Sequence, residues 1–306
     1  MILKPRRDRA SWGIGVYAPS GYATNPAAVE RAIARLEADG HRVIVDPTAR
    51  TRWQRFSAPD DERLAAVERM VADPGVEIAI AVRGGYGWSR LIERIDFGAV
   101  AAAGKRWLGH SDFTAFQLAA LARARMITYA GPLLAYDFGA EALSRFTLDH
   151  CWGLFSSDIY SVQCPLDGPD DFVAEGTLWG GNLALLAHLV GTRYCPEVDD
   201  GILFLEDIGE HPYRIERMLY QLHLAGILAR QRAVLLGSFT GYESAPNDNG
   251  YGLDTVVAHA RQRFSVPIFT GLPFGHIRDK LTLPVGGHCR LQVAQGNATL
   301  AFSAYG

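Results

Sequence analysis

The stretch RWLGHSDFTAFQLAALA, residues 106–122, decides the fold class because a strand pattern runs directly into a helix pattern. Its apolar start, Arg106–Gly109, is typical of a short buried strand, and Asp112–Ala122 has the spacing of a helix. The same alternation recurs through the first half of the chain. Strands and helices that alternate at this length favour βαβ crossovers and a parallel sheet with helices on both faces.

The first half therefore predicts an α/β domain. Its other predicted strands are Trp12–Ala18, Arg42–Val45, Glu77–Val82 and Ile127–Tyr129, and its other predicted helices are Pro26–Asp39, Asp60–Ala72 and Ala140–Phe155. The pattern fails between Ser156 and Glu175, where prolines, a glycine and aspartates indicate a connection. We expect an N-terminal domain over 1–156, a linker over 157–173 and a C-terminal domain over 174–306.

The second half mixes helices and strands with less regularity. Gly176, Gly180 and Gly181 indicate a turn, and the last two strands flank a Gln-Gly-Asn turn typical of a hairpin. Predicted helices are Leu183–Val190, Tyr213–Ala225 and Leu253–Phe264, and predicted strands are Ile202–Leu205, Ala233–Ser238, Val266–Phe269, Cys289–Ala294 and Thr299–Ala304.

Composition excludes several classes of protein. The formal net charge is -3 and the cationic residues are interspersed with acids, so we expect no nucleic-acid partner. No apolar run is long enough to span a bilayer, and the N-terminus leads into no secretory signal. The four cysteines are scattered, which indicates reduced thiols. These features predict a cytoplasmic protein without a membrane partner.

Ser111 lies where the predicted strand meets the predicted helix. A serine at such a turn projects its hydroxyl above the sheet, and the following amide, that of Asp112, lies at a helix N-terminus that favours negative charge. This geometry suits a nucleophile with an oxyanion donor beside it. A helix N-cap serine followed by an acidic first turn is the structural alternative, and on this stretch alone it is the commoner case.

A second glycine-rich turn, Arg83-Gly84-Gly85-Tyr86-Gly87, follows another predicted strand. It could cradle a phosphate, although its spacing matches neither the nucleotide-binding nor the dinucleotide-binding motif. Alternatively, the amide of Gly85 could supply a second oxyanion donor, because the carboxyl ends of parallel strands meet at one edge of the sheet.

A serine nucleophile needs a base and an acid that orients it. Among nine histidines, His276 stands in a loop rich in Gly and Pro after a predicted strand, and such loops often carry function. Glu206 ends a buried apolar run, where a carboxylate needs a partner, with Glu210 as its competitor. No histidine begins a zinc-ligand pair, so we expect neither a metal nor a cofactor.

Five motifs occur in order along the chain and together resemble the LD-carboxypeptidase family of serine peptidases. They are residues 83–87 (RGGYG), 109–115 (GHSDFTA), 176–183 (GTLWGGNL), 205–214 (LEDIGEHPYR) and 271–276 (GLPFGH). The resemblance spans nearly the whole chain. It implies a flavodoxin-like N-terminal domain with a parallel sheet and a smaller C-terminal domain of β/β/α type.

The resemblance also assigns roles to single residues. It implies Ser111 as nucleophile, Glu206 as acid and His276 as base, with the amides of Gly85 and Asp112 as oxyanion donors. The family often has Tyr where this chain has His110, which leaves the wall beside the site undefined. Arg83, Gly84 and Arg214 are candidate substrate contacts. A terminal carboxylate on the substrate needs a cationic partner, which Arg83 or Arg214 could supply, although both arginines could equally form structural ion pairs.

The implied activity is removal of the terminal D-alanine from murein tetrapeptides during cytoplasmic peptidoglycan recycling, by a homodimer. One alternative within the family is a peptidase that cleaves peptidyl-nucleotide antibiotics. From another class, the chain could be a non-catalytic protein that holds a small anionic ligand on its glycine loop, or a flavodoxin-like protein with a bound flavin.

Overall fold

The computed structural model describes residues 11–306, which form two β-sheets with helices packed on them. The strands are β1 (Gly13–Tyr17), β2 (Arg42–Val45), β3 (Ile78–Ala81), β4 (Arg106–Gly109), β5 (Thr128–Ala130), β6 (Tyr160–Pro165), β7 (Phe172–Asn182), β8 (Gly201–Ile208), β9 (Gln231–Thr240), β10 (Ile268–Thr270), β11 (Leu283–Val285), β12 (His288–Ala294) and β13 (Asn297–Ser303). The α-helices are α1 (Pro26–Ala38), α2 (Asp60–Ala72), α3 (Phe97–Ala102), α4 (Phe113–Ala124), α5 (Arg145–Phe155), α6 (Leu183–Leu189), α7 (Pro212–Leu224) and α8 (Leu253–Arg263). Across residues 11–306, no helix is long and apolar enough to cross a membrane.

The first sheet has the strand order β11-β5-β4-β3-β1-β2. Strands β1 to β5 are parallel to their neighbours, and their order is that of flavodoxin-like sheets. The outer strand β11 comes from the second half of the chain and pairs antiparallel with β5. The predicted α/β class is therefore confirmed, with one edge strand added by the C-terminal part of the chain.

The second sheet has the order β10-β9-β8-β7-β12-β13-β6. Strands β7 to β10 pair in parallel, whereas β12, β13 and β6 pair antiparallel. Strand β7 joins the two parts because its first half pairs with β12 and its second half with β8. The carboxyl ends of β7 and β8 consequently carry Asn182 and Glu206 side by side.

The expected turn at Gly176, Gly180 and Gly181 is wrong, because all three glycines lie within β7. The sequence pattern misled because these glycines serve close packing, not chain reversal. A Cβ at Gly180 would stand 2.0 Å from the carbonyl oxygen of Phe204, and one at Gly181 would stand 2.4 Å from Thr114 Oγ1. The missing side chains let β7 approach both β8 and helix α4.

The segment 157–173, predicted to be a linker, is not irregular throughout. It contains β6, which pairs with β13 and alternates buried and exposed side chains, with Val162 and Cys164 inward. Pro169 and the aspartates Asp167, Asp170 and Asp171 follow β6, so the irregular connection to β7 is reduced to residues 166–171. The limits 1–156 and 174–306 stay a prediction.

Aromatic packing fixes the start of helix α4. Phe113 and Phe116 are fully buried and contact the ring of Trp88, with centroids 5.5 and 4.6 Å away. Burying side chains of this size contributes roughly 2–3 kcal/mol each, so the N-terminus of α4 is held firmly against the turn after β3. Residues 110–112, which connect β4 to α4, are thereby placed beside the glycine loop.

Candidate active site

Ser111 occupies a strained position between β4 and α4. Its backbone has φ +68°, in the left-handed region that costs a non-glycine residue of order 1–3 kcal/mol. The glycine loop packs directly on it: a Cβ added at Gly84 would lie 2.7 Å from Ser111 Cβ and 2.8 Å from its Oγ. A strained turn held against a side-chain-free backbone is the environment of an exposed nucleophile.

His276 and Glu206 complete a chain of hydrogen bonds that ends at Ser111. His276 Nδ1 lies 2.7 Å from Glu206 Oε2, and His276 Nε2 lies 3.0 Å from Ser111 Oγ. When the carboxylate accepts the Nδ1 proton, Nε2 is left free to accept the hydroxyl proton of Ser111. The arrangement can therefore activate the serine hydroxyl for attack on a carbonyl carbon.

Asn182 donates to the carboxylate of Glu206, at the end of these hydrogen bonds. Sequence reasoning did not single out this asparagine. Glu206 is 0 % exposed, and Asn182 Nδ2 lies 3.2 Å from its Oε1 and 2.8 Å from Asp207 Oδ1. A buried carboxylate requires such donors. The only hint in the sequence is the position of Asn182 within the 176–183 motif.

Asp207 forms the other half of this acidic pair. Burial raises the pKa of Asp207 to about 6; the hydrogen bond from Asn182 opposes the rise, and the neighbouring Glu206 charge adds to it. The amide of Ala184 donates to Asp207 Oδ2 over 2.8 Å, which ties the carboxyl to the start of α6. Glu210, the competing acid, instead lies 3.8 Å from the Arg214 guanidinium.

Ser20 links the glycine loop to the nucleophile turn. Its Oγ accepts hydrogen bonds from the amides of Tyr86 and Gly87, at 3.1 and 2.7 Å, and donates to Asp112 Oδ2. Because a hydroxyl has one proton, these three contacts define its orientation completely. Ser20 is fully buried and lies in the stretch Ala18–Gly21, which carried no assigned role in the sequence.

Asp112 therefore has two functions in the turn. Its amide follows the nucleophile, and its buried carboxyl anchors the loop through Ser20. Burial raises the pKa of Asp112 to about 6, while the hydrogen bond from Ser20 opposes that rise. Among residues 11–306, neither the Asp112 amide nor the Gly85 amide is engaged by a protein acceptor, so both can donate to a bound oxyanion.

His110 forms a buried wall beside the base. Its ring centroid lies 5.1 Å from that of His276, and its Nδ1 lies 2.8 Å from the carbonyl oxygen of Gly131. Burial, then the nearby Lys280 and His276, hold the pKa of His110 well below its ordinary value. The imidazole is therefore neutral at neutral pH, donating through Nδ1 to Gly131.

A cavity of about 1030 Å³ opens over these residues. Arg83, Gly84, Gly85, Ser111 and His276 all line it. Arg214 does not: it lies exposed on α7, where its Nε donates to the hydroxyl of Tyr213 and its Nη1 lies 3.8 Å from Glu210 Oε2. Within residues 11–306, no group of three or more His, Cys, Asp or Glu side chains is arranged to hold a metal ion.

Comparisons with known proteins agree with this architecture. Residues 14–131 match the LD-carboxypeptidase N-terminal domain, and residues 175–291 match the LD-carboxypeptidase C-terminal domain. The crystal structure of muramoyltetrapeptide carboxypeptidase from Oxalobacter formigenes superposes with a TM-score of 0.90 at 43% identity, covering 95% of this chain and 99% of that chain.

Two curated relatives extend the match. The murein tetrapeptide carboxypeptidase of Pseudomonas aeruginosa is 30% identical and covers 97% of this chain and 99% of its own length. The microcin self-immunity protein MccF of Escherichia coli is 27% identical, over 89% of this chain and 88% of its own. The fold and these matches define a peptidase of the carboxypeptidase type. The chain belongs to the LD-carboxypeptidase family.

Proposed function

We propose that this chain is a serine carboxypeptidase that removes the terminal D-alanine from murein tetrapeptides. The observation that carries the proposal is the continuous hydrogen-bond chain from Glu206 through His276 to Ser111, at the floor of the cavity. Similarity to muramoyltetrapeptide and murein tetrapeptide carboxypeptidases supports the choice of substrate.

In the first step His276 Nε2 takes the proton of Ser111 as Oγ attacks the carbonyl carbon. That carbon belongs to the amide between the L-centre of meso-diaminopimelate and D-alanine. The C–O bond forms as the carbonyl becomes a tetrahedral oxyanion, and Glu206 stabilises the resulting imidazolium. The oxyanion accepts from the amides of Gly85 and Asp112. Removing one such donor costs roughly 3–4 kcal/mol in comparable sites.

In the second step the imidazolium gives its proton to the departing nitrogen and the C–N bond breaks. D-Alanine leaves with a free amine, and the peptide stays attached to Ser111 as an ester. Water, deprotonated by the now neutral His276, then hydrolyses the ester and regenerates the hydroxyl. No group outside the three side chains and two amides is required.

We place the reaction in the cytoplasm, in peptidoglycan recycling, and the protein in a homodimer. Similarity to muramoyltetrapeptide and murein tetrapeptide carboxypeptidases supports this choice of pathway. The resemblance to the family supports the dimer. Sedimentation of the purified protein would test the dimer, because a single species of monomer mass would contradict it.

A serine-directed acylating probe tests the proposed chemistry. Intact-protein mass spectrometry should show one adduct on the native chain and none on Ser111→Ala, because the hydroxyl is the group activated by His276. The non-catalytic alternative, in which the glycine loop holds an anionic ligand, predicts no adduct on either protein.

A second candidate substrate is a peptidyl-nucleotide conjugate, favoured by the similarity to the microcin self-immunity protein. Both activities would use the same three side chains and differ in how the cavity receives the leaving group. Turnover of a tetrapeptide muropeptide and an aminoacyl-nucleotide conjugate, measured side by side, separates them. We expect the muropeptide to be preferred.

A further inference from the structure

The cavity contains a charged pair that the catalytic steps do not use. Lys280 Nζ lies 2.5 Å from Asp137 Oδ1, and both side chains line the cavity although each is more than nine-tenths buried. We propose that Lys280 binds the terminal carboxylate of the substrate. The inference rests on the carboxypeptidase function proposed above and identifies the side chain that recognises the free C-terminus of the peptide substrate.

Stereochemistry restricts where such a cation can stand. The departing nitrogen must receive its proton from His276, so the terminal residue lies on the His276 side of Ser111, away from the oxyanion donors. In a carboxypeptidase that residue carries the free carboxylate, only one α-carbon beyond the nitrogen. A cation that recognises the carboxylate must therefore be close to His276.

Lys280 meets this condition. It follows His276 by four residues on the loop that leads into β11, and it is near enough to His110 to help lower the pKa of that ring, after the larger effect of burial. The His110 ring in turn contacts the His276 ring. His276, His110 and Lys280 all line the cavity.

Hydrogen bonds fix the backbone of Lys280 and leave part of its ammonium group free to donate. The amide of Lys280 donates to Thr147 Oγ1 over 3.0 Å, and Thr147 Oγ1 donates to the carbonyl oxygen of Arg278 over 2.8 Å, which fixes the loop against α5. The ammonium has three N–H groups, and among the described residues only Asp137 accepts from it. Two donors are left for a ligand in the cavity.

Asp137 pairs with the Lys280 ammonium and orients it. Its other oxygen, Oδ2, accepts from the amide of Leu133 over 2.7 Å, so its orientation is set by the backbone. A neighbouring carboxylate lowers the attraction of Lys280 for a second carboxylate. We therefore expect a moderate contribution to substrate selection, of about 10- to 100-fold, in the range of charge-assisted hydrogen bonds.

The other cations are less well placed. Arg55 and Arg278 also line the cavity, but both are exposed, whereas Lys280 is buried. Arg214 lies outside the cavity, on the exposed face of α7. Arg83 lines the cavity and directly precedes Gly84 and Gly85, and its Nη1 donates to the carbonyl oxygen of Tyr22 over 3.2 Å. It provides the matched control, because it is a cavity cation that belongs to the glycine loop and not to the loop of His276.

The test compares two substrates that differ only in the terminal group. A tetrapeptide ending in D-alanine and its counterpart ending in D-alaninamide are given to the native protein, Lys280→Met and Arg83→Met, and kcat/KM is measured for each. The native protein should prefer the acid by about 10- to 100-fold. Lys280→Met should lose that preference because its kcat/KM falls for the acid substrate and stays the same for the amide. Arg83→Met should keep the preference.

Each outcome bears on one claim. If the native protein cleaves neither substrate, the proposed function is wrong and the inference falls with it. If the native protein cleaves the acid but Lys280→Met keeps the preference, only the inference is overturned. Should Lys280→Met melt early because Asp137 is left unpaired, the double variant Lys280→Met with Asp137→Leu removes both charges and is measured in its place.

Discussion

His276 Nε2 lies 3.0 Å from Ser111 Oγ, although the two residues are 165 positions apart in the chain. Ser111 follows a strand of the first sheet, and His276 follows β10 of the second. The proposed nucleophile and the proposed base therefore meet only when the two sheets are packed together. Each half of the chain holds part of the site, and neither half holds the whole.

Replacing the acid should remove most of the activity without unfolding the chain. In Glu206→Gln the amide can still occupy the same space, but it no longer stabilises the imidazolium or enforces the useful tautomer of His276. We expect kcat to fall by roughly 10⁴-fold, as for the acid of other triads. Steady-state kinetics on a tetrapeptide muropeptide measures this.

Glu210→Gln is the matched control for that variant, since Glu210 is the nearby carboxylate that pairs with Arg214 at 3.8 Å. Exposed pairs of this kind contribute about 0–1 kcal/mol to stability, so both activity and melting temperature should be unchanged. Equal losses in Glu206→Gln and Glu210→Gln would contradict the assignment of the acid.

Ser20→Ala should impair catalysis through the glycine loop. The substitution removes the acceptor of the Tyr86 and Gly87 amides and the donor to Asp112. A small displacement of the Gly85 amide should then lower kcat by about 10- to 100-fold with little change in KM. Kinetics combined with thermal melting separates this from a simple loss of stability.

A second buried serine supplies the control for Ser20. Ser57 is also fully buried, and its hydroxyl donates to the carbonyl oxygen of Ala18 over 2.5 Å, with no bond to the loop. Ser57→Ala should cost about 1–3 kcal/mol of stability but leave kcat unchanged. If Ser57→Ala lowers kcat as much as Ser20→Ala does, Ser20 has only a structural role.

Gly84→Ala should be harmful because the loop has no room for a methyl group. The added Cβ would lie 2.8 Å from Ser111 Oγ, so the nucleophile or the loop must move. We expect at least about 100-fold loss in kcat/KM. Gly252→Ala, where a Cβ meets no heavy atom of residues 11–306 within 4 Å, should retain full activity in the same assay.

His110 should make the protein sensitive to acid. Its folded-state pKa is lowered by burial, Lys280 and His276, so below its ordinary value of 6.5 only the unfolded chain binds a proton there. Stability is therefore lost as the pH falls below 6.5, by up to about 1.4 kcal/mol per pH unit. His110→Asn keeps a donor for the carbonyl oxygen of Gly131 but cannot titrate. The unfolding free energy of this variant should therefore not show the decrease below pH 6.5.

Urea unfolding of both proteins from about pH 7 to about pH 5 measures the difference. The raised pKa values of Asp112 and Asp207 make the folded protein more stable as the pH falls, which opposes the effect of His110. Both proteins contain these two aspartates, so their effect cancels when the two stability curves are subtracted. Parallel stability curves for the native protein and His110→Asn would show that the buried imidazole does take up a proton.

The inner strands of the first sheet, β1, β3, β4 and β5, were predictable from sequence because they are buried along nearly their whole length and alternate with regularly spaced helices. The edge strand β11 was missed because it comes from the second half of the chain. Strand β4 has the predicted bounds, Arg106–Gly109. Strand β6 was missed because it is only six residues long, ends in Pro165 and is followed by Pro169 and three aspartates, which are typical of a loop. The glycines of β7 were misinterpreted because close packing and chain reversal favour the same residue.

The site could be anticipated only in part. Ser111 and Gly85 stand at strand ends, where local patterns suggest function, whereas Glu206 and His276 were chosen by family resemblance. Ser20, Asn182 and Lys280 act through partners far away in the chain, so no local pattern identifies them. Conversely, Arg214 had a suggestive position in the sequence but lies outside the cavity.

Mass spectrometry of muropeptides tests the central claim most directly. The native protein and Ser111→Ala are each incubated with a murein tetrapeptide and with the corresponding pentapeptide, whose last bond joins two D-residues. We predict that the native protein releases one alanine from the tetrapeptide and none from the pentapeptide, and that Ser111→Ala is slower by roughly 10⁶-fold. Unchanged tetrapeptide with the native protein, or full turnover by folded Ser111→Ala, would contradict the account.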